Sequence, residues 1–345
     1  MKIKFNLPLI NAHCHAAMIA FRGKAEDLPL KIWLEKYIWP MEKKFVSPSF
    51  VYKNTKKAML EMKKNGIRVF NDMYFFEREV ARAAKEMKIK VVIGEGLTDF
   101  PNPGAKNFFE GLKITEELLK KFKNDPYVKV AVAPHSIYTV STENLILAKK
   151  LAKQYKALYH IHLAETKFEF GKCLRKNNTT PVGYLNKLGI LDEKTILAHC
   201  IWLKDKDIEI LAKKKTKVVH CPLSNLKLGS GIAPISKMLE KGVLVSLGTD
   251  GPVSSNRLDI WEAGKFAALL QKGITGEPQK LPAKEVIKMM TVNGLKALNI
   301  KEIDKKTISD IEKEIKKENF NFLYHLNIQD LITKEGTAVH HFCKI

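Results

Sequence analysis

Short apolar, β-branched runs alternate with longer amphipathic stretches along most of this chain. The runs are LPLINA (7–12), IRVFND (67–72), KVVIGE (90–95), VKVAVA (128–133), ALYHIH (157–162), TILAHC (195–200), TKVVHC (216–221) and VLVSLGTD (243–250). Short apolar runs bounded by polar segments read as strands buried on both faces. Between them EREVARAAKEMKIK, FEGLKITEELLKKF, ENLILAKKLAKQ, KDKDIEILAKKK and IWEAGKFAALLQK carry apolar residues at helical spacing. Eight strand–helix alternations predict a parallel sheet with helical crossovers, and eight units predict a closed (β/α)8 TIM-type barrel. A doubly wound open sheet is the alternative, but no GxGxxG follows a strand. After Asn299 the pattern decays. ISDIEKEIKKENF (308–320) reads as a polar helix. The last segment, LYHLNIQDLITKEGTAVHHFCKI, alternates weakly and shows no clear partner; its histidine pair at 340–341 reads as part of a mobile tail. The expected division is a barrel over residues 1–298 and a C-terminal extension over 299–345.

The polar residues of interest gather at one end of these runs. His13 and His15 close the first; His135 follows the fourth in APHS; His162, His199 and His220 close the fifth, sixth and seventh; Asp250 closes the eighth. In a barrel all of these lie on the C-terminal face, where active sites are built. Side chains two apart on a strand point the same way, so His13 and His15 converge. Two converging imidazoles suit a metal ion; a core histidine beside a loop histidine is the alternative on the local pattern alone. His160 points the same way as His162, one layer deeper. Cys14, Cys200 and Cys221 each follow a histidine, so they face the opposite side and pack behind the site.

Composition narrows the functional classes. The chain has 345 residues, 45% of them hydrophobic, enough for a large core. No stretch approaches the ~18 uninterrupted apolar residues of a membrane-spanning helix, and MKIKFNLPLI lacks a cleavage pattern. The five cysteines are odd in number and form no CxxC, which fits reduced thiols in a cytoplasm. The net charge of +22 invites a nucleic-acid reading, yet only six of the 59 basic residues are arginine. The lysines are spread through helices without interleaved stacking aromatics, so a solvated lysine surface is expected, with neither nucleic acid nor membrane as partner. A homo-oligomer is left open.

The set HxH, HLAE, AHC and LGTDG resembles the amidohydrolase superfamily. Within it, NAHCHAAM, RGKAEDLPLKIWL, NDMYF, APHSIYT, IHLAET, LAHCIWL, SNLKLGSGIAP and SLGTDGPVSSN are similar to the deaminases that act on methylthioadenosine and S-adenosylhomocysteine. The likeness covers residues 9 to about 298. Relatives add a β-sandwich before the HxH and after the barrel, so the tail here is expected to be a remnant of an accessory domain that is largely missing.

The resemblance implies one divalent metal ion held by His13, His15, His162 and Asp250, with zinc the default and iron the alternative. Two-metal relatives carry a carboxylated lysine at the end of the fourth strand, which here ends VAPHS. His199 is thereby left to polarise the attacking water. Asp250 is expected to take a proton from that water, and Glu165 to protonate a ring nitrogen and pass the proton to departing ammonia; a turn aspartate and a helix-start glutamate are the plainer readings. Glu42 matches the residue that binds ribose hydroxyls, and His135 is expected to touch substrate. Trp33 covers the base or belongs to the core. His220 orients a ligand or a loop, and Gly248 and Gly251 let the backbone turn around Asp250.

Glu95 stands where relatives carry an arginine for the homocysteine carboxylate, and a second arginine position falls near Lys106 and Asn107. Glu95 is therefore expected to face the 5′ group and repel a carboxylate there. The implied reaction is hydrolytic deamination of an adenosine-type nucleoside with a small neutral or cationic 5′ group: methylthioadenosine, 5′-deoxyadenosine or adenosine before S-adenosylhomocysteine. Alternatives are deamination of another ring, such as aminodeoxyfutalosine, guanine or a triazine, and a non-catalytic barrel serving as a scaffold.

Overall fold

The computed structural model describes residues 3–318, 320–324 and 331–333. Eight parallel strands form one sheet in sequential order: Leu9–Cys14, Ile67–Tyr74, Lys90–Leu97, Val128–Pro134, Leu158–Leu163, Thr195–His199, Lys217–His220 and Val245–Leu247. Each falls on one of the eight apolar runs. Each is short and bounded by polar or glycine-containing segments, as strands covered on both faces must be. The sheet closes where the eighth run returns to the first. Asp250 forms a parallel bridge with Cys14, its N–H donates to the His13 carbonyl at 3.0 Å, and the Thr249 N–H donates to Asn11 Oδ1 at 2.9 Å. Closure therefore seats Asp250 beside His13 by backbone contact.

Helices cover the outside. Side-chain caps start several: Ser47 for Pro48–Lys64, Asn107 for Phe108–Lys121, Thr166 for Lys167–Asn177 and Asp259 for Ile260–Thr275. Helix Val292–Ala297 approaches the first strand so closely that a Cβ on Gly294 would lie 2.6 Å from Ile10 Cβ. Among the described residues, no helix is long and apolar enough to cross a membrane.

Beyond the barrel, a two-residue hairpin (Glu302–Ile303 with Lys306–Thr307) leads into helix Ile308–Lys317. That helix is polar as expected, but its Ile311 and Ile315 are buried. Thr307 and Asp310 form a capping box at its start. The expectation that the final segment lacks a partner is corrected in part: Leu331–Thr333 pairs in parallel with Ile3–Phe5. Three-residue strands carry too little alternation to be seen in sequence. The histidines at 340–341 lie outside the described residues.

Candidate active site

The strand ends bring together His13, His15, His162, His199 and Asp250, all at the mouth of the barrel. The nitrogens of His13, His162 and His199 lie within 4.8 Å of one another, as do the donor atoms of His13, His15 and Asp250. Ring centroids of His13 are 4.8 Å from both His15 and His162 and 5.8 Å from His199. His199 and Asp250 hold left-handed backbone angles, φ 76° and 62°, which L-residues adopt at a cost. That conformation ends each strand and turns its side chain over the barrel.

Hydrogen bonds set the direction of the imidazoles. His162 Nδ1–H donates to the His135 carbonyl at 2.7 Å, and His15 Nδ1–H donates to the Met73 carbonyl. Both hydrogen bonds turn Nε2 of the ring toward the cluster. His13 is fully buried, and neither of its ring nitrogens makes a hydrogen bond. Asp250 Oδ1 lies 3.1 Å from His15 Nε2 and 3.5 Å from His13 Nε2. Its Oδ2 accepts from the hydroxyls of Ser224 and Ser254, the latter at 3.1 Å.

Electrostatics follow from burial and this pairing. Burial alone would raise the Asp250 pKa, but the adjacent imidazoles of His13 and His15, and the charge of His15, hold it well below the usual carboxylate range. Burial pulls His13 down to about 4. Burial also acts to lower His15, but the Asp250 carboxylate and the Met73 carbonyl outweigh it and raise that imidazole to about 9. Converging imidazoles around one ionised carboxylate, with a fully buried ring at the centre, are a donor set that fits a divalent cation. His13, His15, His162 and Asp250 could hold it, and His199 lies in the same cluster.

Glu165 follows the fifth strand. Its carboxyl lies 3.8 Å from His199 Nε2, while His199 Nδ1 pairs with Asn225 Oδ1 at 2.8 Å. Burial raises the Glu165 pKa, partly opposed by His199. The exposed helix-start reading fails, since Glu165 is 4% exposed. Glu169, not singled out in the sequence, holds this segment: its carboxylate accepts from the N–H groups of Ala164 and Glu165 at 2.9 and 2.8 Å. The capping-box spacing from Thr166 to Glu169 was the available signal. Asp72 was missed too. It accepts from the Ala16 N–H at 2.7 Å and anchors the turn after His15.

A cavity of about 840 Å³ opens over the cluster. His15, His135, His162, Glu165, His199 and Asp250 form its floor. Glu42, Trp33, Tyr74, Trp39, Phe75 and Phe100 are on its walls. Glu42 is 5% exposed, so the surface-helix reading fails for it as well; burial raises its pKa to about 7, opposed by the neighbouring Tyr74 hydroxyl. His135 is pulled down to about 3 by burial and then by the neighbouring imidazoles. His160 sits one layer deeper, its Nδ1 accepting from Asn71 Nδ2 at 2.9 Å. His220 is buried and outside the cavity wall. Cys14 packs behind the site on Asp72.

Glu95 is a correction. It does not line the cavity. Its two carboxylate oxygens accept from the N–H groups of Phe76 and Glu77, at 2.9 and 3.0 Å, at the start of helix Glu77–Glu86. Strand alternation explains the placement: Gly96 faces the cavity, so Glu95 faces the helical layer. Lys106 and Asn107 are also off the cavity wall, Asn107 capping a helix. Among the described residues, no arginine lines the cavity, and Lys43 is its only lysine.

Two predictions arise here. Glu95→Ala strips the acceptors from two buried N–H groups beside Phe76, whose φ is 55°. It is expected to cost about 1–3 kcal/mol in urea unfolding, while leaving the relative rates on different substrates unchanged. A Cβ on Gly248 would lie 2.8 Å from the His13 carbonyl oxygen. Gly248→Ala is expected to cost about 1–3 kcal/mol and to weaken metal binding measured by titration, because the clash displaces His13.

The family model for the amidohydrolase family matches residues 8–304. The chain is 47% identical over 303 residues to a 5-methylthioadenosine/S-adenosylhomocysteine deaminase of Thermodesulfovibrio yellowstonii, a match covering 88% of this chain and 68% of that one. It is 44% identical over 292 residues to a 5′-deoxyadenosine deaminase of Methanothrix thermoacetophila, covering 85% and 69%. Among solved structures, an adenosine deaminase from Xanthomonas campestris with bound zinc superposes with a TM-score of 0.84 at 34% identity, covering 85% of this chain and 67% of that one. This chain thus spans about two thirds of the length of these relatives. It belongs to the amidohydrolase family, and its parallel barrel is that family's fold.

Proposed function

We propose that this chain is a metal-dependent hydrolytic deaminase of adenosine-type nucleosides whose 5′ group is small and uncharged. One observation carries the reading: a buried carboxyl with a raised pKa, Glu165, lies 3.8 Å from His199 beside the imidazole–Asp250 cluster, on the floor of a cavity with nucleoside-sized room. Relatives named as methylthioadenosine/S-adenosylhomocysteine, 5′-deoxyadenosine and adenosine deaminases support it.

His13, His15, His162 and Asp250 would hold one divalent ion; we propose zinc, the ion bound in the Xanthomonas campestris structure, with iron the alternative. Such an ion supplies Lewis acidity, bringing the pKa of water toward neutrality. Asp250 takes the proton of the attacking water, and the low pKa its surroundings give it keeps it ready to accept. His199, fixed by Asn225, donates to the oxygen as it bonds to the amine-bearing carbon. Glu165 gives its proton to the adjacent ring nitrogen. The proton Asp250 took from water then moves to the departing amine, the C–N bond breaks, the proton left on the added hydroxyl returns to the Glu165 carboxylate as the carbonyl forms, and ammonia and an inosine-type product leave. Glu42 binds sugar hydroxyls, and His135 touches the substrate.

Among the described residues no arginine lines the cavity, which supports neutral 5′ groups over the carboxylate of S-adenosylhomocysteine. That preference stands without the repulsion assigned to Glu95, which faces away. We further propose that residues 1–298 carry the chemistry and that 299–345 form an extension. A cytoplasmic location fits the free thiols Cys14, Cys173, Cys200 and Cys221.

The test is ammonia release by the zinc-loaded protein from methylthioadenosine, 5′-deoxyadenosine, adenosine, S-adenosylhomocysteine, guanine and a triazine. Turnover of the first three, ahead of S-adenosylhomocysteine, is expected. Ammonia from guanine or the triazine alone, or from none, would overturn the proposal.

A further inference from the structure

We infer that His160 and Asn71 are positioning residues: together they brace His13 from beneath and fix the direction its ring presents to a metal ion. The inference rests on the metal assignment above. Of the three histidines assigned to the ion, His15 and His162 are each tethered through Nδ1 to a backbone carbonyl. His13 has no such tether; its Nδ1 is buried without a hydrogen-bond partner. A ligand imidazole is ordinarily oriented through the nitrogen that faces away from the metal. Something else must hold this ring.

Ring contacts take that part. His13 meets three imidazoles nearly at right angles. The centroids of His15 and His162 are 4.8 Å away and that of His160 is 4.9 Å away, at interplanar angles of 85°, 81° and 84°. Edge-to-face pairs at such distances are the arrangement aromatic rings favour. His15 and His162 are assigned to the ion themselves. His160 is not: it is fully buried, lies off the cavity wall and belongs to neither group of converging donor atoms.

Asn71 locks His160 in turn. Its Nδ2 donates to the Ala12 carbonyl at 2.9 Å, and a carbonyl only accepts, so the amide orientation is set. The second Nδ2 proton then goes to His160 Nδ1 at 2.9 Å, which makes that nitrogen the acceptor and leaves the ring proton on Nε2. One amide thereby ties the ring beneath His13 to the residue that precedes His13. The backbone allows this: pairing of strands Leu9–Cys14 and Ile67–Tyr74 shifts register between Asn11 and Cys14, and Ala12 sits at that break. On another side Gly248 limits movement, since a Cβ there would lie 2.9 Å from His13 Cβ. His160 Nε2 is itself buried without a partner, a cost that an apolar ring would avoid. What the histidine adds over such a ring is the acceptor for Asn71.

The experiment measures the zinc Kd by chelator competition, and the visible absorption of the cobalt(II)-loaded protein, for the wild type, His160→Ala, His160→Phe and Asn71→Leu, with thermal unfolding to establish folding. His160→Ala is expected to weaken zinc binding by about 10–100-fold, the scale for groups that orient a metal ligand, and to shift the cobalt bands as His13 turns out of line. His160→Phe restores the edge-to-face contact and should bind zinc within about threefold of the wild type. Asn71→Leu keeps the volume, removes both donated bonds and should weaken zinc binding by about tenfold. If His160→Ala does not fold, Asn71→Leu decides. A folded variant with the wild-type zinc Kd and cobalt bands would make the pair core residues only and overturn the inference, leaving the metal assignment standing. Equal losses in His160→Phe and His160→Ala would overturn it too. No zinc bound by the wild type would overturn the inference and the metal assignment together.

Discussion

Glu165→Gln is expected to lower kcat by about 10²–10⁴-fold, the usual worth of a positioned general acid–base group, with KM changed little. Glutamine keeps the shape and the hydrogen-bonding reach but has no proton to lose. The neighbouring geometry does not depend on the carboxylate itself, because Glu169 holds the segment through the N–H groups of Ala164 and Glu165. Burial of Glu165, with no salt-bridging lysine or arginine among the described residues, favours its protonated form, which is what an acid must be before the ring nitrogen takes its proton. Steady-state kinetics on methylthioadenosine, with metal content measured in parallel, separates this role from ligation. A variant that kept full kcat would remove Glu165 from the chemistry, and one that lost its metal would assign it a different task.

Metal removal has the other large effect. Chelation of the wild type, or His13→Ala, should reduce activity below about 1% of its starting value, since activation of the water is lost. Re-addition of zinc should restore the chelated wild type alone. The thermal behaviour of the two proteins should also differ. A ligand that binds only the folded state at about 1,000 times its Kd adds about 4 kcal/mol, so zinc should raise the Tm of the metal-free wild type and leave that of His13→Ala nearly unchanged. His13 is the informative position because both of its ring nitrogens are buried without a hydrogen bond. Replacing it removes a ligand and an orphaned polar group together, so loss of zinc binding need not bring loss of folding. A His13→Ala protein still stabilised by zinc to the wild-type extent would exclude that histidine from the site.

Residues whose direction follows from local periodicity were legible in the chain. His13 and His15 converge because a strand repeats every two residues, and His162 and Asp250 join them because their runs end at the same face of a barrel. Glu95 was misread although the same alternation governs it. The face of Gly96 was unknown until the barrel closed, and only then did Glu95 fall among the helices. Glu169 was overlooked because its partners are backbone N–H groups, which carry no mark of their own in a sequence. The Ile3–Phe5 and Leu331–Thr333 pair was beyond reach, since it joins two segments too short to show a period.

The amino-acid sequence by itself determined the eight strands, their parallel order and the identity of the histidines and acids at their ends. Apolar runs, amphipathic spacing and two-residue alternation are properties of neighbouring residues. Only the tertiary structure decided which carboxylates face the cavity, that no arginine among the described residues lines it, and that Trp33 and Glu42, on one helical stretch with a π-helical middle, both reach it. Each of those depends on where distant segments pack once the sheet closes on itself, a constraint that no local pattern of residues contains.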